Sequence, residues 1–373
     1  MEHRHKILII IPGMNSGGAE RVVSNLSGHL SREGHDVVIA TIVEGESFYD
    51  LDPGVRFVSA GLPLDRTSPL TIRRSMLMGL NASVSFMADT IKDDAPDVIL
   101  TFTEPADYII YWLKKNKALG NSAWIASDRN DPAARGIMSR TALKRVFSSC
   151  DLLICQSSIV ADQYPHQKNK MVIPNAVATE KLPEPAEEDP DFWISSAGRL
   201  YPQKNQGLLI NAYAMAKNSF NRPARLVIYG SGPLEKDLKK QISDLGLTGF
   251  VEIMPPIQAL HDEIAGSAFF VLTSDYEGYP NVLAEAIALG LPVISTDFAT
   301  GVARDLINDE TGLIVPVGDA SALAAALTKL VNDAPLRLGM RAHNRSLRPA
   351  MDDKAVMAAW SLAVHNAVKT KNK

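Results

Sequence analysis

The chain has 373 residues, 46% hydrophobic and 21% charged, with a net charge of −4. That length exceeds one ordinary core and calls for two domains, and the acidic balance argues against a general nucleic-acid binder. Residues 1–175 hold 19 basic and 19 acidic side chains, so the whole negative charge falls after them.

The N-terminus runs through six mostly polar residues and then Ile7 to Ile11 before Pro12. This reads as a first strand and not as a signal peptide, and no run reaches the roughly 18 apolar residues of a membrane span. After Lys6–Ile11 come a glycine loop at 13–18, a helix over Ala19–Glu33 and a strand over Asp36–Val43. Thr71–Lys92 has helical spacing, Tyr108–Lys117 is apolar with a basic end, and Asp97–Phe102, Ala123–Ser127 and Leu152–Gln156 read as strands. Cys150 and Cys155 stand on one apolar run. As strand residues five apart they face opposite ways, cannot pair, and fit a reducing cytosol.

From Pro174 to Pro190 the chain has four prolines and an acidic cluster, Glu184, Glu187, Glu188 and Asp189, which reads as a linker. The alternation then restarts with strands at Phe192–Ala197, Arg225–Tyr229, Val251–Met254, Phe269–Thr273, Val293–Ser295 and Leu313–Pro316, with helices from about Gln206 and Leu234. A last helix, Ala355–Val368, has no strand after it. The expected class is α/β. It has a Rossmann-like domain over 1–175, a linker over 176–191, a second such domain over 192–350, and a C-terminal helical segment over 351–373 packing back on the first domain.

Four loops, each following a strand, hold residues suited to a nucleotide sugar. Gly13-Met14-Asn15-Ser16-Gly17-Gly18 opens a helix, where free N–H groups favour an anion; it reads equally as a tight turn, and it lacks the G-x-G-x-x-G spacing and a Walker lysine. Ala197-Gly198-Arg199-Leu200-Tyr201-Pro202-Gln203-Lys204-Asn205 brings two cations to one loop, a diphosphate site or a solvated basic turn. Tyr229-Gly230-Ser231-Gly232-Pro233 lets backbone approach a ligand, or merely turns the chain. Asp275-Tyr276-Glu277-Gly278-Tyr279-Pro280-Asn281-Val282-Leu283-Ala284-Glu285 places one carboxylate in a strand-to-helix loop and another near the first turn of the helix. Both would face the crevice at the carboxyl end of a parallel sheet and accept hydrogen bonds from sugar hydroxyls. A solvated Glu277 and a helix-capping Glu285 are the plainer reading.

Together these pieces resemble a retaining GT-B glycosyltransferase of family 4 over nearly the whole chain. Pro174-Asn175-Ala176-Val177 resembles the family's hinge, with Ala176 where glycine is commoner. Gly45-Glu46-Ser47-Phe48-Tyr49 and residues 298–307 further resemble bacterial members that extend polyprenyl-diphosphate-linked oligosaccharides in O-antigen, capsule, exopolysaccharide or N-glycan assembly. The resemblance implies a GT-B fold, two Rossmann-like domains facing across a cleft, and transfer of a hexose or N-acetylhexosamine from a nucleotide sugar, UDP favoured over GDP. It implies that Arg199 and Lys204 bind the leaving diphosphate without a metal. Glu277 and the backbone around Gly278, Tyr279, Pro280, Asn281 and Val282 hold the donor sugar, Glu285 the ribose, and Gly17, Gly18 and Gly230 line the donor side. No cofactor is implied beyond the nucleotide sugar itself. The sequence departs from the family at Asp128-Arg129, where members carry a histidine that reaches the donor sugar; Arg129 takes that place, on the acceptor or sugar side. Pro255-Pro256 stands where a base-packing glycine is usual.

Acceptor binding falls to the first domain by elimination. Thr71-Ile72-Arg73-Arg74, the basic residues of 129–145 and the aromatics and lysines of 108–117 make a surface suited to an anionic bilayer and a lipid diphosphate, or ordinary solvated helix faces. That places the enzyme in the cytoplasm at the inner membrane face. Asp50-Leu51-Asp52 and Asp189-Pro190-Asp191 are Asp-x-Asp pairs, read as structural and not as metal ligands. Four rivals stay open: a sugar-nucleotide epimerase, a glycosyltransferase of the same fold with a non-lipid acceptor, a nicotinamide dehydrogenase with Glu44 on the ribose, and a non-catalytic sugar-nucleotide binder.

Overall fold

The computed structural model describes residues 4–15, 18–63, 69–129, 135–177, 179–188, 191–257 and 259–371, with backbone alone for 69–80, 137, 181 and 350. The chain divides into two compact units, Met1–Asn175 with Lys354–Lys373, and Ala176–Asp353.

The first unit carries β1 (Lys6–Ile11), α1 (Gly18–Arg32), β2 (Asp36–Val43), β3 (Val55–Leu62), α2 (Pro69–Asp94), β4 (Val98–Phe102), α3 (Glu104–Lys115), β5 (Ala123–Asp128), α4 (Ile137–Phe147), β6 (Leu152–Cys155), α5 (Ser158–Asp162) and β7 (Lys170–Val172). Its seven strands are parallel in the order β3-β2-β1-β4-β5-β6-β7. The central strands β1, β4 and β5 are buried almost throughout because helices cover both faces, as parallel sheets require. β3 escapes the sequence reading: it is an edge strand of half-buried residues with no continuous apolar run. Cys150 precedes β6 instead of lying on it; both thiols are free and buried, and burial pushes each up to about 12.

The C-terminal helix belongs to this unit from residue 354 onward; we label it α13 (Asp353–Lys371), the labels α6–α12 falling between. Met357, Trp360, Ala363, Val364 and Ala367 form its buried stripe. Trp360 stacks on Phe102 with ring centroids 5.7 Å apart, and Ser361 donates to Glu33 at 2.7 Å.

The second unit carries β8 (Trp193–Ala197), α6 (Gln206–Ala216), β9 (Arg225–Tyr229), α7 (Glu235–Asp244), β10 (Val251–Met254), α8 (Leu260–Ile264), β11 (Phe269–Leu272), α9 (Asn281–Ala288), β12 (Val293–Thr296), α10 (Val302–Leu306), β13 (Gly312–Val315), α11 (Ala320–Asn332) and α12 (Ala334–Leu347). Six parallel strands run in the order β10-β9-β8-β11-β12-β13. Strand order reverses between β8 and β11, and the loops leaving those two neighbours are the ones that hold Lys204 and Glu277. This is the switch point at which open α/β sheets bind ligands.

The proline-rich acidic segment is no loose tether over its described residues. Arg337, Arg341, Arg345 and Arg348 recur at helical spacing on one face of α12 and the turn after it. Arg337 pairs bidentately with Glu188, at 2.6 and 3.0 Å, and Arg345 bonds Glu187. Arg341 donates to the Ala186 carbonyl, and Arg348 to those of Thr179, Leu182 and Pro183. Residues 179–188 are thereby clamped onto the second unit.

Candidate active site

The site is built from two loops zipped together. The residue that makes this possible is Asn205: its φ of 46° is left-handed, a conformation Asn tolerates, and its side chain caps α6 by accepting from Leu208 N–H. That turn throws Lys204 back toward β11. Thr273 Oγ1 donates to the carbonyls of Lys204 and Asn205 at 3.0 and 3.1 Å, and Asn205 Nδ2 donates to Asp275 at 2.7 Å. Asp275 N–H donates to the Gln203 carbonyl at 2.9 Å. The loops therefore hold each other by backbone and side chain alike.

Lys204 Nζ meets Glu277 Oε1 directly, the lysine partly buried and the glutamate buried, with side chains 14% and 8% exposed. Ser274 Oγ donates to the same oxygen at 2.6 Å, and Gln203 Nε2 reaches Oε2 at 3.4 Å and the Tyr276 carbonyl at 2.8 Å. Glu277 is thus no solvated loop residue. Its partner Gln203 lies inside the cation-loop motif and Ser274 just before the carboxylate motif, but nothing in the sequence marked either. Arg199 is exposed, lies over the Tyr201 ring at 5.5 Å, and pairs with no carboxylate among the described residues. One cation is committed and one is open.

Gly230 and Gly232 have a packing cause. A Cβ on Gly230 would stand 2.0 Å from the Gly198 carbonyl oxygen, and one on Gly232 would stand 2.4 Å from that of Leu200. Leu200 N–H donates to the Ser231 carbonyl at 2.9 Å, so this turn backs the cation loop. Gly278, Tyr279, Pro280, Asn281 and Val282 follow Glu277 into α9, Asn281 being its first residue. Glu285 is the fifth residue of α9, which starts one residue earlier than expected, and is buried with Oε2 2.9 Å from His261 Nε2. His261, on α8, belongs to no motif in the sequence.

The remaining candidates lie in the first unit. Gly18 is the exposed first residue of α1, and Gly17 lies outside the described residues. Asp128 ends β5 and is enclosed: Arg135 donates to it at 2.6 and 3.1 Å and Tyr164 at 2.6 Å, while Arg135 also bonds Glu104. Such an enclosed carboxylate anchors the chain and offers little to a substrate. Arg129 is different. Its guanidinium lies 5.3 Å from both the Phe102 and Trp360 rings, donates to Ser127 and Asn175, and leaves Nη2 without a partner among the described residues. Burial lowers its pKa to about 10, so it stays charged near neutrality.

Asp52 serves a turn, accepting from Gly54 N–H at 3.0 Å, from Ser31 and from Arg32, with its pKa lowered chiefly by the backbone bond. Asp189 and Pro190 lie outside the described residues. Among the described residues one acidic trio, Glu180, Asp352 and Asp353, brings its carboxylates within 4.8 Å of one another. A cavity of about 500 Å³ in the first unit, beside Lys92, Asp97, Ser122 and Lys371, is lined by none of the predicted site residues.

Two Rossmann-like parallel sheets and a C-terminal helix define the GT-B class. The solved Anabaena protein HepE, in complex with UDP and glucose, shares this fold with a TM-score of 0.77 and 16% identity, over 97% of this chain and 100% of that one. Residues 16–181 match the model for Glycosyltransferase Family 4, and residues 178–346 the model for Glycosyl transferases group 1. An alpha-1,4-N-acetyl-D-galactosaminyltransferase of Campylobacter jejuni, named for a saccharide on PP-undecaprenol, is 26% identical over 336 residues, 89% of this chain and 90% of that protein. An exopolysaccharide phosphotransferase of Streptomyces coelicolor is 39% identical over 166 residues, but that match is 43% of this chain and spans only 17% of that protein. The chain is a GT-B glycosyltransferase of the group 1/family 4 type, with homologues in polysaccharide biosynthesis.

Proposed function

We propose that the enzyme is a retaining glycosyltransferase that moves a hexose or N-acetylhexosamine from a UDP-sugar to a lipid-diphosphate-linked saccharide. The observation that carries this is the contact between Lys204 and Glu277 at the switch point, on the same loop as an exposed Arg199 that pairs with no carboxylate among the described residues. Cleaving the anomeric C–O bond leaves an oxocarbenium-like sugar and adds negative charge to the departing diphosphate. Fixed cations at that oxygen stabilise the transition state; losing one such donor typically costs a hundredfold or more. Arg199, a planar fork, and Lys204, a point charge, do this without a metal. The departing phosphate takes the acceptor's proton on the same face, which gives retention. Glu277 accepts from donor-sugar hydroxyls with the backbone at 278–282, Glu285 accepts from the ribose, and Gly18 and Gly230 border the phosphates. Glu285, held by the ribose, is unavailable for a two-carboxylate hydrolase mechanism.

UDP as the carrier is supported by the HepE complex, and the lipid-linked acceptor by the activity for which the Campylobacter relative is named. In the first unit, Arg129, whose Nη2 has no partner among the described residues, serves the acceptor or sugar side in place of the enclosed Asp128. Met138 is 86% and Trp112 53% exposed, with Lys115, Lys117, Arg140, Lys144 and Arg145 exposed near them in sequence on α3, α4 and the turn after α3. We assign these to an anionic membrane surface; Lys114, bonded to Asp151 and the Ser149 carbonyl, is already occupied. Incubation with a panel of UDP- and GDP-sugars and a short polyprenyl-diphosphate saccharide, read by mass spectrometry, tests the whole reading. One added sugar on the acceptor is expected with a UDP donor, and about a hundredfold less with Lys204→Ala. An altered donor sugar with no transfer would make the enzyme an epimerase instead.

A further inference from the structure

We propose that His261 is a positioning residue for the nucleotide. It fixes the Glu285 carboxylate for the ribose hydroxyls and so sets a preference for ribonucleoside over 2′-deoxyribonucleoside diphosphates; this rests on the assignment of Glu285 to the ribose made above. His261 Nε2 lies 2.9 Å from Glu285 Oε2, and the two side chains are only 23% and 10% exposed. They come from α8 and α9, which follow β10 at the sheet edge and β11 at the switch point. The bond thus ties the second-turn carboxylate of α9 to a neighbouring helix packed against the same core.

An ionised carboxylate is acceptor-only, so Nε2 carries the proton that closes this bond. The terminal torsion of a glutamate is broad and roughly two-fold, so a bond to one oxygen narrows the orientations open to the carboxylate plane. The imidazole holds one oxygen. Each carboxylate oxygen has two lone pairs, so Oε2 can take the imidazole and still accept a hydroxyl. A vicinal diol then meets acceptors already oriented, with less ordering to be done on binding. A residue that acts in this way affects recognition of the hydroxyls and not of the base or the phosphates.

Titration calorimetry with UDP, dUDP, GDP and dGDP on wild type, His261→Ala, His261→Gln and Glu285→Gln tests this. His261→Ala is expected to weaken the favoured ribonucleotide about tenfold, in the range for a hydrogen bond to a charged group, and to change its 2′-deoxy form less than twofold. His261→Gln, whose amide donates from nearly the position of Nε2, is expected to recover most of the ribonucleotide's advantage. Equal weakening of both sugars by His261→Ala, or no weakening of either, overturns the inference. Glu285→Gln separates the two levels: it should abolish the ribo-over-deoxy advantage. If it does so while His261→Ala does not diminish that advantage, only the role of His261 falls. If it leaves the ratio unchanged, the ribose assignment falls and this inference with it.

Discussion

Lys204 has two partners in prospect, one inside the protein and one in the substrate. Glu277 is 6% exposed, and an unpaired carboxylate so buried costs several kcal/mol. Lys204, Ser274 and Gln203 share the work of compensating it. Any change at Lys204 therefore disturbs stability together with chemistry, whereas Arg199, exposed and unpaired among the described residues, reports on the ligand alone. A second buried acid behaves differently. Asp107, on the inner face of α3, accepts from Thr101 Oγ1 at 2.5 Å and has no partner at Oδ2 among the described residues. Desolvation raises its pKa well above the usual carboxylate range. The folded state thus holds a proton that the unfolded chain releases above about pH 3.9. The stability this group contributes is complete below that pH and is lost as pH rises through the folded-state value. Asp107→Asn is expected to gain on wild type as pH rises from 5.5 to 8.5, by up to about 1.4 kcal/mol per pH unit. Thermal unfolding at several pH values checks it, and a pH-independent difference would contradict it.

At the scale of elements, most strands were legible as apolar runs between glycine- and polar-rich turns. β1, β2, β9 and β10 have the expected bounds; β1 and β9 do because a strand covered on both faces shows no polar interruption, and the edge strand β10 keeps them despite its exposed Glu252. β3 and the three-residue β7 lie at the sheet edges, where burial is partial and the signal fades. The proline-rich segment reads as a linker only while the arginine stripe at 337, 341, 345 and 348 goes unnoticed; periodicity on one helix predicts a partner elsewhere. The glycines at 230 and 232 illustrate a limit of motif reading. Their nearest demand is the Gly198–Leu200 backbone, a contact between two loops that no single motif contains. Gly230→Ala places a Cβ 2.0 Å from a carbonyl oxygen that cannot retreat without carrying the cation loop with it. We expect a loss of about 2 kcal/mol or more, as for overpacked cores, together with weakened nucleotide binding. Unchanged affinity in a folded variant would show that the loop does not feel its neighbour.

For the whole molecule, the repeated strand–helix alternation gave the class, and the two sheets reverse order at β1/β4 and at β8/β11. The meeting of Lys204 and Glu277 was legible because each lies in a motif on a loop leaving a switch-point strand of the second unit. His261 was not legible, because its importance arises from a contact across two helices. No described helix is long and apolar enough to cross a membrane. The surface assigned to the bilayer is therefore tested directly: flotation with anionic liposomes should carry wild type upward, and Trp112→Glu with Met138→Glu should leave most of the protein behind. Equal flotation of both would remove the membrane from the account.

The central claim is that the cations of the loop after β8 read a diphosphate. Calorimetric titration of UDP and UMP into wild type and Arg199→Met tests it most directly, because this substitution strands no buried partner. We expect UDP affinity to fall about 10- to 100-fold in the variant, as for a charge-assisted hydrogen bond, with UMP affinity nearly unchanged. UDP binding that is the same in both proteins would contradict the account.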